Sequence, residues 1–122
     1  MAVAPVTDWR YYNSEYTERY LLTPKEDPTG YNISRVTNTT ALSKAKRFFL
    51  AHGTGDDNVL IQHSMVLIDK LIKNGVRNWD SEFFPDDDHN IQFHGAYRLI
   101  YLRLTEWLQR YFGTKEGTKW KV

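Results

Sequence analysis

An α/β fold with about three parallel strands is what this 122-residue sequence predicts, and three observations predict it. Short runs of strand character recur at residues 2–6 (AVAPV), 47–51 (RFFLA) and 79–84 (WDSEFF). Between and after them the apolar spacing changes to a helical period, with glycine, proline and asparagine punctuating the changes. Strand and helix in alternation place parallel strands side by side through right-handed crossovers.

Taken in order, residues 2–6 form an apolar strand that begins almost at the first residue. Residues 9–22 are rich in aromatic side chains: Trp9, Tyr11, Tyr12, Tyr16 and Tyr20. Pro24, Pro28 and Gly30 mark a loop. Residues 38–46 spell one short helix capped by Thr39 or Thr40. Residues 47–51 read as a buried parallel strand, with His52-Gly53-Thr54-Gly55 opening the loop that follows. From Ile61 the period is helical, with Ile61, Met65, Ile68, Leu71 and Ile72 on the inward face. Asp69, Lys70 and Lys73 face away, and Asn74-Gly75 stops the helix. Trp79–Phe84 is the third strand, closed by Pro85. Ala96–Phe112 is a long helix with the core stripe Ala96, Ile100, Leu104, Trp107, Leu108 and Tyr111. The folded unit is expected over residues 1–113, with a frayed tail at 114–122.

Composition narrows the function classes. Hydrophobic residues make up 41% and charged residues 25%, a globular balance and not a disordered one. Sixteen basic residues against fifteen acidic ones give a net charge of +1, which offers no field for nucleic acid. The absence of cysteine excludes disulfides, zinc-thiolate sites and cysteine nucleophiles. No apolar run approaches the roughly 18 residues needed to cross a bilayer, and the first six residues carry neither the charged nor the apolar region of a signal peptide. The triplets starting at Asn32 and Asn38 are glycan acceptors if the chain enters the secretory pathway.

In parallel α/β sheets, functional groups gather at the carboxyl ends of the strands. Two loops here sit at such ends: residues 52–59 (HGTGDDNV) after the second strand and residues 85–89 (PDDDH) after the third. Adjacent strands bring a carboxylate and an imidazole together there. An acid that fixes a histidine's tautomer and stabilises its cation is the base half of a hydrolase triad. The order Asp then His matches the later part of the α/β-hydrolase order Ser, Asp, His. Each loop alone reads more readily as a turn and a structural histidine, and spacing does not separate Asp56 from Asp57. A metal site is not supported. Asp86, Asp88 and Asn90 mimic the first ligands of a calcium loop, but Ile91 and Tyr97 stand where glycine and glutamate are required.

The segments AVAPVTDWRYYNSEYTERY, HGTGDDNV and FPDDDHNI resemble the end of the dipeptidyl peptidase IV branch of the prolyl oligopeptidase family. The resemblance runs from Ala2 to about Phe112, and the spelling of the last two blocks looks closer to fungal vacuolar or secreted members than to animal ones. It implies the C-terminal portion of an α/β-hydrolase sheet, with Asp56 as the triad acid and His89 as the general base. It also implies that Asn58 binds near the substrate's N-terminal residue, and that Val6, Trp9, Tyr12, Tyr16 and Val59 hold a proline ring or alanine methyl. No cofactor is implied. The implied partners are peptides with Pro or Ala second from the N-terminus, and a second copy docking through the C-terminal helix. The implied location is secreted, vacuolar or membrane-anchored.

One part is missing. No G-x-S-x-G elbow occurs, and none of Ser14, Ser34, Ser43, Ser64 and Ser81 sits between glycines. The chain is therefore expected to be a C-terminal fragment of a serine-type dipeptidyl peptidase, inactive alone. The alternative is a non-catalytic α/β interaction module or relic derived from such an enzyme.

Overall fold

The computed structural model describes residues 1–36 and 39–113. The expected tail at 114–122 and the sequon asparagine Asn38 lie outside the described residues. In chain order the elements are β1 (Ala2–Val3), a 3-10 turn (Trp9–Tyr11), α1 (Ser14–Leu21), α2 (Pro28–Ser34), α3 (Thr39–Ser43), β2 (Phe48–Gly53), α4 (Gln62–Lys73), β3 (Trp79–Phe84), a second 3-10 turn (Phe93–Gly95) and α5 (Ala96–Phe112). The three strands form one parallel sheet in the order β1-β2-β3. The expected α/β class and parallel sheet are therefore present.

β2 is the axis of the molecule. Its side chains alternate between two faces, as the period of two demands. Phe49 and Ala51 join Phe84, Ile91, Ala96, Ile100 and Trp107 in a core under α5. On the other face Phe48 meets Leu67, Leu71, Val76 and Trp79 under α4. His52 follows Phe48 and Leu50 in this alternation and so faces α4. Pairing with β3 runs in register from Phe48 opposite Trp79 to Gly53 opposite Phe84, which sets the ends of the two strands level.

The other end of the sheet is clamped. Arg47 pairs with the Asp80 carboxylate, which also accepts from Trp107 Nε1 at 2.8 Å. The Arg47 guanidinium lies 4.7 Å from the Tyr111 ring centroid, a cation–π contact. The hydrogen bond from Arg47 holds the Asp80 carboxyl below its ordinary range.

Several expectations need correction. β1 covers two residues, not five: Ala4 adopts φ 45°, and its N–H makes the last bond, to the Ala51 carbonyl at 2.9 Å. The expected loop around Pro28 contains α2. Asp27 caps it by accepting from the Gly30 N–H at 2.8 Å, and Pro28 occupies the first turn, where its missing N–H costs nothing. β2 runs two residues further than expected, so His52 and Gly53 belong to the strand. α4 is rotated from its expected face: His63, Ser64, Leu67 and Leu71 are buried, while Met65 and Ile72 are exposed. Leu108 likewise lies outside the α5 stripe and is exposed.

Candidate active site

Two backbone contacts join the loops after β2 and β3. The Thr54 N–H donates to the Phe84 carbonyl at 2.9 Å, and the Gly55 N–H donates to the Asp87 carbonyl at 3.0 Å. Gly53 permits this approach, because a Cβ there would collide with the carbonyl oxygens of Asp87 and Asp88. Asp87 is buried and accepts from the Phe93 N–H at 2.7 Å, closing the far side of the second loop. Ile91 sits in that loop at φ 50°. A β-branched residue in this region costs about 1–2 kcal/mol, which its complete burial, contributing about 1.5–3 kcal/mol, offsets.

These contacts set Asp56 beside His89. Asp56 Oδ2 lies 2.8 Å from His89 Nδ1. Its other oxygen, Oδ1, accepts the N–H groups of Asn58 at 2.9 Å and Val59 at 2.8 Å. Burial alone would raise the Asp56 carboxyl's affinity for a proton. The hydrogen bonds from His89, Val59 and Asn58 outweigh it and hold the group below the ordinary carboxylate range. Asp57, the neighbouring acid, is exposed. With Nδ1 directed at a carboxylate, His89 carries its proton there and leaves Nε2 as the free base. The His89 side chain is 36% exposed while that of Asp56 is fully buried. Such an arrangement can take a proton from a hydroxyl placed against Nε2 and stabilise the resulting cation.

The aromatic segment lies next to this pair. Asp8 caps the first 3-10 turn and Asn13 caps α1, each by accepting a backbone N–H. The two caps bring Trp9, Tyr12 and Tyr16 into mutual ring contact. Trp9 stacks on Tyr16 at 6.1 Å, and Tyr12 meets both rings edge-on at 5.8 Å. Trp9 and Tyr16 also border an open cleft of about 230 Å³ with Thr17, Tyr20, Leu21 and Ser34. The Tyr12 hydroxyl donates to Asn58 Oδ1 at 3.0 Å, tying the aromatic group to the loop of Asp56. Val59 is buried in that loop, and Val6 is half-buried three residues before Trp9. Asn32 is exposed on α2, where its side-chain oxygen accepts from Arg10.

Sequence reasoning missed four residues that shape the site. His52 is fully buried, with Nε2 3.1 Å from Asp56 Oδ2 and 2.7 Å from the Val59 carbonyl. Ser64 Oγ lies 2.7 Å from His52 Nδ1. His63, also buried, accepts the Thr7 N–H on Nδ1 at 3.1 Å, and its carbonyl accepts the Thr7 hydroxyl at 2.8 Å. Its ring meets Tyr11 edge-on at 5.9 Å. The available signal was polar residues on the inward turns of a strand and a helix that share one face.

Comparisons with known proteins identify the family of the chain. The chain is 58% identical over 108 residues to "Probable dipeptidyl-aminopeptidase B" of Aspergillus oryzae, covering 88% of this chain and 12% of that protein. It is 54% identical over 112 residues to dipeptidyl-aminopeptidase B of Aspergillus niger, again spanning 12% of that protein's length. The crystal structure of Porphyromonas gingivalis dipeptidyl peptidase 4 superposes with a TM-score of 0.82 at 33% identity, covering 90% of this chain and 15% of the other. The model of the prolyl oligopeptidase family matches residues 1–115. With that match, these fungal relatives and that superposition, the chain belongs to the prolyl oligopeptidase family, on its dipeptidyl peptidase IV-like branch.

Proposed function

We propose that this chain supplies the acid and the base of a serine-type dipeptidyl peptidase that releases X-Pro and X-Ala dipeptides from free N-termini. The observation that carries the reading is the 2.8 Å contact between Asp56 Oδ2 and His89 Nδ1, with the imidazole partly exposed and the carboxylate fully buried. His89 takes the proton of a serine hydroxyl through Nε2 and later returns it to the leaving amine. Asp56 fixes the tautomer and stabilises the imidazolium. The serine itself comes from outside these 122 residues, since no glycine-framed serine occurs among them.

The aromatic group gives the substrate preference its physical basis. A proline ring or alanine methyl is compact and apolar and would pack against the Trp9, Tyr12 and Tyr16 group. Val6 and Val59, which the resemblance adds to the wall, do not border the cleft of Trp9 and Tyr16. Asn58, fixed by the Tyr12 hydroxyl, presents its amide N–H groups to a substrate carbonyl. Exposed Tyr97 and Tyr101 on α5 offer a docking face for a second copy.

The test uses Gly-Pro, Ala-Ala and Gly-Leu chromogenic dipeptides with free and acetylated N-termini. The longest natural chain carrying these residues should cleave the first two with free amines and should discriminate against Gly-Leu and acetylated forms. The 122-residue chain should cleave none of them. Removing a triad serine costs roughly a million-fold in a model protease. Turnover by the short chain that depends on His89 would overturn this assignment.

A further inference from the structure

We propose that His52 is a positioning residue for the acid–base pair: a second imidazole that shares Asp56 Oδ2 with His89 and holds the carboxylate in the plane His89 needs. The inference rests on the reading of Asp56 and His89 given above. A carboxylate has about four lone-pair positions, and four donors meet this one. Oδ1 takes the Asn58 and Val59 N–H groups, and Oδ2 takes His89 at 2.8 Å and, at 3.1 Å, a share of the His52 Nε2–H, whose shorter contact is to the Val59 carbonyl at 2.7 Å. Rotation of the Asp56 side chain would break bonds on both oxygens at once.

The tautomer of His52 follows from its surroundings. Nε2 faces two acceptors, Asp56 Oδ2 and the Val59 carbonyl, so the proton sits on Nε2. Nδ1 faces the Ser64 hydroxyl, which donates to it. Ser64 thereby fixes the ring from the first turn of α4, on the side away from the carboxylate. The result is a buried line, Ser64 to His52 to Asp56 to His89, in which only the last member reaches solvent. Low local dielectric strengthens each bond in such a line, and an unpaired member is correspondingly costly. The strand alternation that places His52 over α4 is what makes the line possible.

His52 also bonds the Val59 carbonyl, so a purely structural role must be separated from positioning. Three substitutions do this. His52→Gln keeps an N–H donor near the place of Nε2. His52→Asn keeps a polar group near Nδ1 and loses the reach to Asp56. His52→Phe removes both. Imidazole nitrogen spectra of the 122-residue chain read the tautomer of His52 and the low-field Nδ1–H signal of His89. Kinetics are read on the longest natural chain that contains these residues.

The expected result is a His52 protonated on Nε2, and a His89 Nδ1–H signal that is lost in the Asn and Phe variants but retained in the Gln variant. In the same order, kcat falls by about ten- to a hundredfold for Asn and Phe, the loss of one hydrogen bond to a charged group, with KM little changed. The Gln variant stays within about threefold of the unsubstituted enzyme. A His52 protonated on Nδ1 overturns the proposal without any variant. Equal behaviour of the Gln and Asn variants, or an unchanged His89 signal and kcat in the Phe variant, overturns it as well. If the longer chain has no dipeptidyl peptidase activity, the functional reading fails, while the spectra still decide the role of His52.

Discussion

Gly53 and Asp87 are in backbone contact: the end of β2 lies so close to the carbonyl of Asp87 that no side chain fits between them. Through this contact the loop of Asp56 and the loop of His89, 33 residues apart in sequence, become one site.

Gly53→Ala should therefore destabilise the protein by about 1–3 kcal/mol, the usual range for forcing a methyl into filled space. It should also lengthen the Asp56–His89 contact, because rigid backbone and not a flexible side chain must yield. Urea unfolding measures the first effect and the His89 Nδ1–H signal the second. Unchanged stability would show that the loops are free to separate.

The two acids of the GDDN turn should behave very differently. Asp56→Asn places an amide against His89 Nδ1 and disfavours the tautomer with a free Nε2. If a longer chain carrying these residues has the proposed dipeptidyl peptidase activity, that activity should fall by about four orders of magnitude, with substrate binding little changed. Asp57 is exposed, so Asp57→Asn should alter kcat/KM by less than about threefold, as surface changes rarely exceed 0.5 kcal/mol. Steady-state kinetics on Gly-Pro substrate compare the two, and a damaging Asp57→Asn with a mild Asp56→Asn would reverse the assignment.

Acid should loosen the fold in two stages. Burial is the main reason that His63 is held below the ordinary histidine value. His52 adds to the shift, while the Tyr11 backbone, Asp8 and Asp56 oppose it without prevailing. The unfolded chain takes up this proton near pH 6.5 and the folded chain only at lower pH. Stability from His63 is thus whole above about pH 6.5 and is lost as pH falls from there. Asp56 is also depressed. Its contribution is whole above the carboxylate range near pH 4 and disappears as pH drops through the folded value. In His63→Asn the side-chain oxygen can still accept the Thr7 N–H, so the slope of unfolding free energy between about pH 7 and 5 should flatten while the loss below pH 4 remains. Urea titrations at stepped pH measure both, and an unchanged slope above pH 5 would contradict this origin.

Much of the fold was legible because hydrophobic period and turn chemistry agreed. Trp79–Phe84 and Ala96–Phe112 have the bounds that their sequences predict. α2 was not legible as a loop containing Pro28 and Gly30, although Asp27-Pro28 is itself a helix-start signal. The face of α4 was misread for a different reason. Hydropathy places Met65 and Ile72 inside, whereas the buried turns belong to His63 and Ser64, whose Nδ1 and Oγ are paired with Thr7 and His52. Burial of a paired polar group leaves no apolar trace in the sequence. The same reason hid His52, which looked like the first residue of a loop and is the last inward side chain of β2. Strand order places the loops of Asp56 and His89 together, whereas the choice of Asp56 over Asp57 rests on the family resemblance.

Turnover of Gly-Pro substrate by the longest natural chain carrying these residues, before and after His89→Ala, tests the central claim most directly. If His89 is the general base, its loss should abolish measurable release of Gly-Pro, while the variant keeps the native fold by circular dichroism and still binds a proline-containing dipeptide. A folded His89→Ala variant that releases Gly-Pro at the rate of the unsubstituted enzyme would show that the proton is taken elsewhere, and that the Asp56–His89 pair is structural.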